Sequence, residues 1–126
     1  MPSTELLVFR QANGRVPMEE WLDSLPAKAR AKCLYYMRLL AAYGHELRRP
    51  IADSLQDGIY ELRPSHQGVP YRVLYFFSGP DAVVLSHGIA KGRKVPDAEI
   101  RRAIQRKQLV LEDPARCTSK STYKVV

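Results

Sequence analysis

One stretch limits what this chain can fold into more than any other. Tyr71-Arg72-Val73-Leu74-Tyr75-Phe76-Phe77 is an unbroken run rich in aromatic and β-branched residues, the composition of a strand. Ser78-Gly79-Pro80-Asp81 then turns the chain, and residues 82–87, Ala-Val-Val-Leu-Ser-His, form the next strand. Upstream, Asp57-Gly58 marks a turn before a strand at 59–63. Short connections join these three strands, so an antiparallel meander is the economical pairing.

The flanks supply helices. Residues 5–10 read as a first strand, broken by Asn13-Gly14. Pro17 suits the first helical position, Glu19 and Glu20 suit its first turn, and Met18, Trp21, Leu22 and Leu25 recur at helical spacing. Pro26 ends that helix and starts a second, residues 27–43, with Cys33, Met37, Leu40 and Ala41 on one stripe and Gly44 as its terminator. Pro96 opens a last helix to about residue 111, with Ile100, Ala103 and Ile104 as a narrow buried stripe. The order β-α-α-β-β-β-α predicts one α+β domain over residues 1–111. It has a small, mainly antiparallel sheet, a helical hairpin and a C-terminal helix, with helices covering one face. Residues 112–126 read as a tail, either loose or an added edge strand.

The chain is 126 residues long, with 45% hydrophobic and 26% charged residues, which excludes disordered, collagen-like and coiled-coil classes. There is no apolar run of membrane-spanning length and no signal-peptide order at the N-terminus. Cys33 and Cys117 are read as ordinary thiols of a cytoplasmic protein. Twenty Lys+Arg against thirteen Asp+Glu give +7, and residues 61–126 hold twelve of the basic residues and six of the acidic. That asymmetry points to a polyanion, nucleic acid first; solubility alone is the plainer reading.

His45, His66 and His87 lie far apart, and no metal, nucleotide-loop or nucleophile motif occurs, so no metal or cofactor is expected. Basic residues on or beside strands stand out instead: Arg63, Arg72, Lys91, Arg93 and Lys94. In a meander, Arg63 and Arg72 border the same loop. Two adjacent guanidiniums repel unless an anion sits between them, and their paired donors suit phosphate oxygens and the charge developing in phosphoryl transfer. Metal-free RNA cleavage also needs proton transfer, for which crowded lysines or His87 qualify. Structural alternatives stand beside each of these. Arg72 can pair with Glu61 across strands, and His87 can be a satisfied core residue. Tyr71 and Tyr75 can be core, and Lys91, Arg93 and Lys94 a solvated loop. Arg101, Arg102, Arg106 and Lys107 suit the C-terminal end of a helix dipole without any partner.

The segments Leu55-Gln56-Asp57-Gly58-Ile59-Tyr60-Glu61-Leu62-Arg63, Tyr71-Arg72-Val73-Leu74-Tyr75-Phe76 and His87-Gly88-Ile89-Ala90-Lys91-Gly92-Arg93-Lys94-Val95-Pro96, preceded by Trp21-Leu22-Asp23-Ser24-Leu25-Pro26, resemble the RelE/HigB (RelE/ParE) toxin superfamily, most closely its phage-related HigB-like branch. The resemblance spans roughly residues 5–107. It implies a RelE-like fold and the toxin of a type II toxin–antitoxin pair. Such a toxin is a metal-independent endoribonuclease that cleaves translated mRNA on the ribosome by attack of the 2′-hydroxyl. Its implied partner is an antitoxin, often a helix-turn-helix protein. Carried over, Arg63 and Arg72 match the family's strand arginines, and Lys91 and Lys94 match lysines of the loop after the last strand. His87, Lys91 and Lys94 stay open as proton carriers, with Arg93, Arg101, Arg102 and Arg106 as RNA contacts. Gly92, Glu61 and the lack of a tyrosine in the last helix depart from the pattern. The same superfamily contains ParE-like members that inhibit DNA gyrase, and a non-catalytic nucleic-acid-binding module is a further alternative.

Overall fold

The computed structural model describes residues 4–90 and 94–123. In chain order the elements are β1 (Glu5–Phe9), α1 (Pro17–Asp23), α2 (Ala27–Tyr43), a single 3-10 turn (Gly44–Glu46), β2 (Ala52–Ser54), β3 (Tyr60–Leu62), β4 (Ser65–His66), β5 (Val69–Ser78), β6 (Ala82–Ala90), α3 (Asp97–Glu112), α4 (Pro114–Cys117) and β7 (Thr118–Lys120). They form a seven-stranded sheet in the order β2-β3-β5-β6-β1-β7, with β4 paired to β5. The expected α+β class and the antiparallel β3-β5-β6 meander are both present. β1 lies parallel to β6, which the long connection between them, through α1, α2 and β2–β5, allows.

Helices cover both faces of the sheet, which corrects the one-face expectation. Met18, Leu22, Cys33, Met37 and Leu40 of α1 and α2 pack on Val8, Leu62, Val73, Tyr75, Val83 and Leu85. Ile100, Ala103 and Val110 of α3 pack on Phe9, Leu74, Phe76 and Val84 from the other side. β5 explains why: Val73, Leu74, Tyr75 and Phe76 are consecutive and all buried, and side chains of alternating direction can all be buried only in a sandwiched strand. Tyr71 and Tyr75 are both core residues.

At residues 112–126 the edge strand is the reading that holds where the chain is described. β7 pairs antiparallel with β1 through Leu7–Lys120, Val8–Ser119 and Phe9–Thr118. Beyond it, Glu19 Oε2 of α1 accepts hydrogen bonds from Ser121 Oγ and from Thr122 N and Oγ1, and the Tyr123 hydroxyl donates to Asp23.

One irregularity positions the site. Leu74 pairs with His87 and the next residue, Tyr75, pairs with Leu85, so Ser86 is an extra residue, a β-bulge in β6. The bulge reverses the facing of the residues beyond it. His87 lands beside Leu74 on the α3 side, and Gly88 lands opposite Val73 under the Trp21 ring.

Candidate functional site

Register places Asp53, Glu61, Leu74 and His87 in one row across β2, β3, β5 and β6, on the face that α3 covers. Arg63, just past β3, and Arg72 in β5 border that row. The structure brings them together around Glu61, which is 4% exposed. Glu61 Oε2 accepts from Arg63 Nη1 at 2.6 Å, and Glu61 Oε1 lies 3.4 Å from Arg72 Nε. Arg72 Nη1 donates to its neighbour's carbonyl, Tyr71 O, at 2.7 Å. The cross-strand Arg72–Glu61 pair foreseen as a structural alternative is therefore present, but one carboxylate serves two guanidiniums and the trio keeps one net positive charge. Burial first, and then Arg63, draws the Arg72 pKa below its ordinary value, against the pull of Glu61. Beside the trio, Arg49 Nε donates to Asp53 at 2.8 Å. That bond, the Ser54 N–H and the nearby Arg63 hold the Asp53 carboxyl below the usual range.

His87 is buried and fully engaged. Its Nε2 meets Glu99 Oε1 at 2.9 Å and its Nδ1 meets Ser86 Oγ at 2.8 Å. Burial first, and then Arg106, pushes its pKa down to about 4 against the opposing pull of Glu99. At neutral pH the ring is uncharged, with Nε2–H donating to Glu99 and Nδ1 accepting from Ser86. A serine–histidine–carboxylate line of this kind has no nucleophilic use here, because Ser86 is completely buried. Arg106, whose pKa burial also lowers, donates to Ser86 O at 3.2 Å and sits 5.0 Å over the Phe9 ring. Arg102 donates to Glu99 at 3.0 Å, and Arg101 is exposed on the same helix. Among the described residues, no hydrogen bond or ion pair links these α3 arginines to Arg63 or Arg72. Lys91 and Arg93 fall outside the described residues.

Exposed Lys94 lines a cavity of about 460 Å³, bounded also by Trp21, Gly88, Ile89, Pro96 and Glu99. Ile89 is the register partner of Arg72 on the adjacent strand, so the cavity and the arginine pair share one end of the sheet. Sequence reasoning places Trp21 only in an apolar helical spacing and a family motif, and singles out neither it nor Glu99 for function. Gly88 is the available signal: a glycine inside a strand often marks close approach of another group, and a Cβ there would overlap the indole. Among the described residues, no group of three or more His, Cys, Asp or Glu side chains is placed to hold a metal ion. No described helix is long and apolar enough to cross a membrane.

A mainly antiparallel sheet with helices on both faces and a basic cluster at one end is an α+β architecture compatible with the RelE-like fold. Residues 20–108 match the family described as phage derived protein Gp49-like (DUF891), and the chain belongs to that family. The matched span runs from α1 into α3 and includes Trp21, Glu61, Arg63, Arg72, Lys94 and Glu99. No curated protein matches the sequence.

Proposed function

We propose that the protein is the toxin of a type II toxin–antitoxin pair and acts as a ribosome-dependent endoribonuclease on translated mRNA. Membership of the Gp49-like family and the RelE/HigB-like motif order support the toxin reading. The observation that supports the nuclease reading is the meeting of Arg63 and Arg72 around Glu61, with Lys94 lining a cavity beside Ile89, the register partner of Arg72. In this reading the scissile phosphate lies against Arg63 and Arg72, which bear the charge that grows on its oxygens. The 2′-hydroxyl oxygen bonds to phosphorus, the bond to the 5′-oxygen breaks, and a 2′,3′-cyclic phosphate and a 5′-hydroxyl result. Lys94, with Lys91 of the same loop, carries the proton transfers. His87 serves instead as the post that fixes Glu99, since both its ring nitrogens are engaged. Arg101 and Arg93 contribute salt-sensitive contacts to ribosomal RNA. A neighbouring antitoxin restrains the protein in the cytoplasm.

The carboxylate shared by Arg63 and Arg72 favours a second reading, a ParE-like toxin that inhibits gyrase without cutting RNA. Induced expression in a bacterium separates the two. The nuclease reading expects arrested translation and transcripts cut inside reading frames, with both effects lost in Arg72→Ala. Intact transcripts with a raised DNA-damage response would establish the gyrase reading. Unimpaired growth without any restraining partner would end both.

A further inference from the structure

The segment after α4 reaches back to β1 and α1, and it lies beyond the span that matches the family. Its start is clamped by Arg10, whose N–H donates to Cys117 O at 2.8 Å and whose side chain donates to the carbonyls of Ala115 and Arg116. β7 then covers the β1 edge. The far end is held by two acids of α1. Glu19 Oε2 accepts from Ser121 Oγ at 3.1 Å, from Thr122 Oγ1 at 2.7 Å and from Thr122 N, and Asp23 accepts from the Tyr123 hydroxyl. α1 needs such support. It has seven residues and no side-chain cap at its N-terminus, so tertiary contacts decide where it lies. Met18 and Leu22 bury one i,i+4 row, and a single row leaves the roll of the helix about that row unfixed. Glu19 and Asp23 are a second i,i+4 row, beside the first. The roll matters because Trp21, on the same helix, closes on Gly88 and meets Tyr71 edge-on, with ring centres 6.1 Å apart. Tyr71 O in turn accepts from Arg72 Nη1.

We propose that residues 118–123 are a strap that positions the site: by holding Glu19 and Asp23 it fixes the roll of α1 and keeps Trp21 seated against Gly88 and Tyr71. Glu19 and Asp23 are then positioning residues, acting on the Arg72 end of the sheet through Trp21. A three-residue ladder and largely exposed polar bonds hold the strap, so it opens at lower cost than the buried strands it caps. The device goes beyond the nuclease reading and serves a toxin of either target.

The test loosens the strap from its own side and watches the indole. Thr122→Val with Tyr123→Phe in the full chain removes two donors to the α1 acids and leaves α1 itself unchanged. Trypsin cleavage after Lys120 reports how often the strap opens, and removing the two bonds is expected to speed it about tenfold. Trp21 is the only tryptophan of the chain, so its fluorescence reports on α1 at the site alone. In the folded variant its quenching by acrylamide is expected to rise about twofold, with the emission moving to longer wavelength. Faster cleavage with Trp21 quenching at the parent's value would overturn the coupling. Unchanged cleavage would overturn the hold of Glu19 and Asp23 on the strap. Should circular dichroism show the double variant unfolded, Ser121→Ala removes a single donor and carries the same two readouts, with cleavage about threefold faster and quenching again raised. Neither readout uses RNA, so failure here leaves the nuclease reading standing, and loss of that reading leaves the strap.

Discussion

Removing the one acid that holds the two site arginines together gives the sharpest test of how the site is built. In Glu61→Gln the shape is kept and the charge is lost. At a separation near 4 Å and an effective dielectric of about 20, each ion pair contributes roughly 4 kcal/mol of attraction, much of it offset by the desolvation of the three groups. Stripping one partner from a buried pair typically costs about 3–5 kcal/mol. Arg63 is 25% exposed and regains some water, whereas Arg72 is 12% exposed and regains little. The expected loss is therefore near the lower end, about 3 kcal/mol, or a melting temperature lower by about 10 °C. The same change raises the local charge from one positive to two, so an oxyanion between the guanidiniums should bind the variant more tightly. Inorganic phosphate at about a hundred times its dissociation constant would return about 2.7 kcal/mol. The assay is thermal unfolding of parent and variant with and without phosphate. A variant that melts within about 1 °C of the parent, or phosphate that lifts both equally, would refute the idea that Glu61 holds the place of a bound anion.

Three further outcomes concern the buried groups. The folded His87 titrates near 4 and the unfolded imidazole near 6.5. Between those values the unfolded chain binds the extra proton, so stability is full above about pH 6.5 and falls by about 3 kcal/mol as pH drops toward 4. Urea midpoints at pH 7 and 4.5 should diverge less in His87→Gln, and an identical pH dependence would sink the assignment. Burial pushes the Cys33 thiol up to about 12, while Cys117 is half-buried, so a maleimide should add one label to the native protein and a second only in denaturant. Two rapid native labels would contradict the packing of α2. Gly88→Ala drives a methyl into the Trp21 ring and should cost about 1–3 kcal/mol, shrinking when Trp21 is already Leu; simple additivity would show that the two do not touch.

How much can be read from the residues depends on how local each signal is. The β5 run, the turn at Ser78-Gly79-Pro80-Asp81 and the proline-started helices depend on near neighbours, and those elements are legible. β2 and β7 are three residues each: β2 exists only because β3, a short loop away, offers it an edge, and β7 only because β1 offers one to a distant part of the chain. Nothing in Ala52-Asp53-Ser54 itself calls for a strand. The place of α3 on the second face escapes a reading by periodicity although its cause is visible: four consecutive apolar residues at Val73–Phe76 need cover on both sides. At the site, the neighbourhood of Arg63 and Arg72 is legible from strand order. The sharing of Glu61 by both is not, because it depends on rotamers and on depth beneath the surface.

The bulge at Ser86 ties the two halves of the site together, and it explains why plain alternation misleads there. Counted strictly from Val83, His87 shares the α1 side with Leu85, and Gly88 faces α3. The extra residue exchanges them. His87 then reaches Glu99 and fixes that carboxylate at the cavity wall, and Gly88 lets Trp21 close down on the strand from the opposite face. The next residue, Ile89, faces the α3 side with Arg72. A straight strand would give this end of the sheet a histidine under an indole and a glycine beneath an acid, with neither the aromatic wall nor the anchored carboxylate. Bulges bend and twist a strand at a cost in ladder hydrogen bonds. Here Arg106 donates to the freed Ser86 carbonyl at 3.2 Å, which offsets that cost. Arg106 is thereby bound into the scaffold of the site.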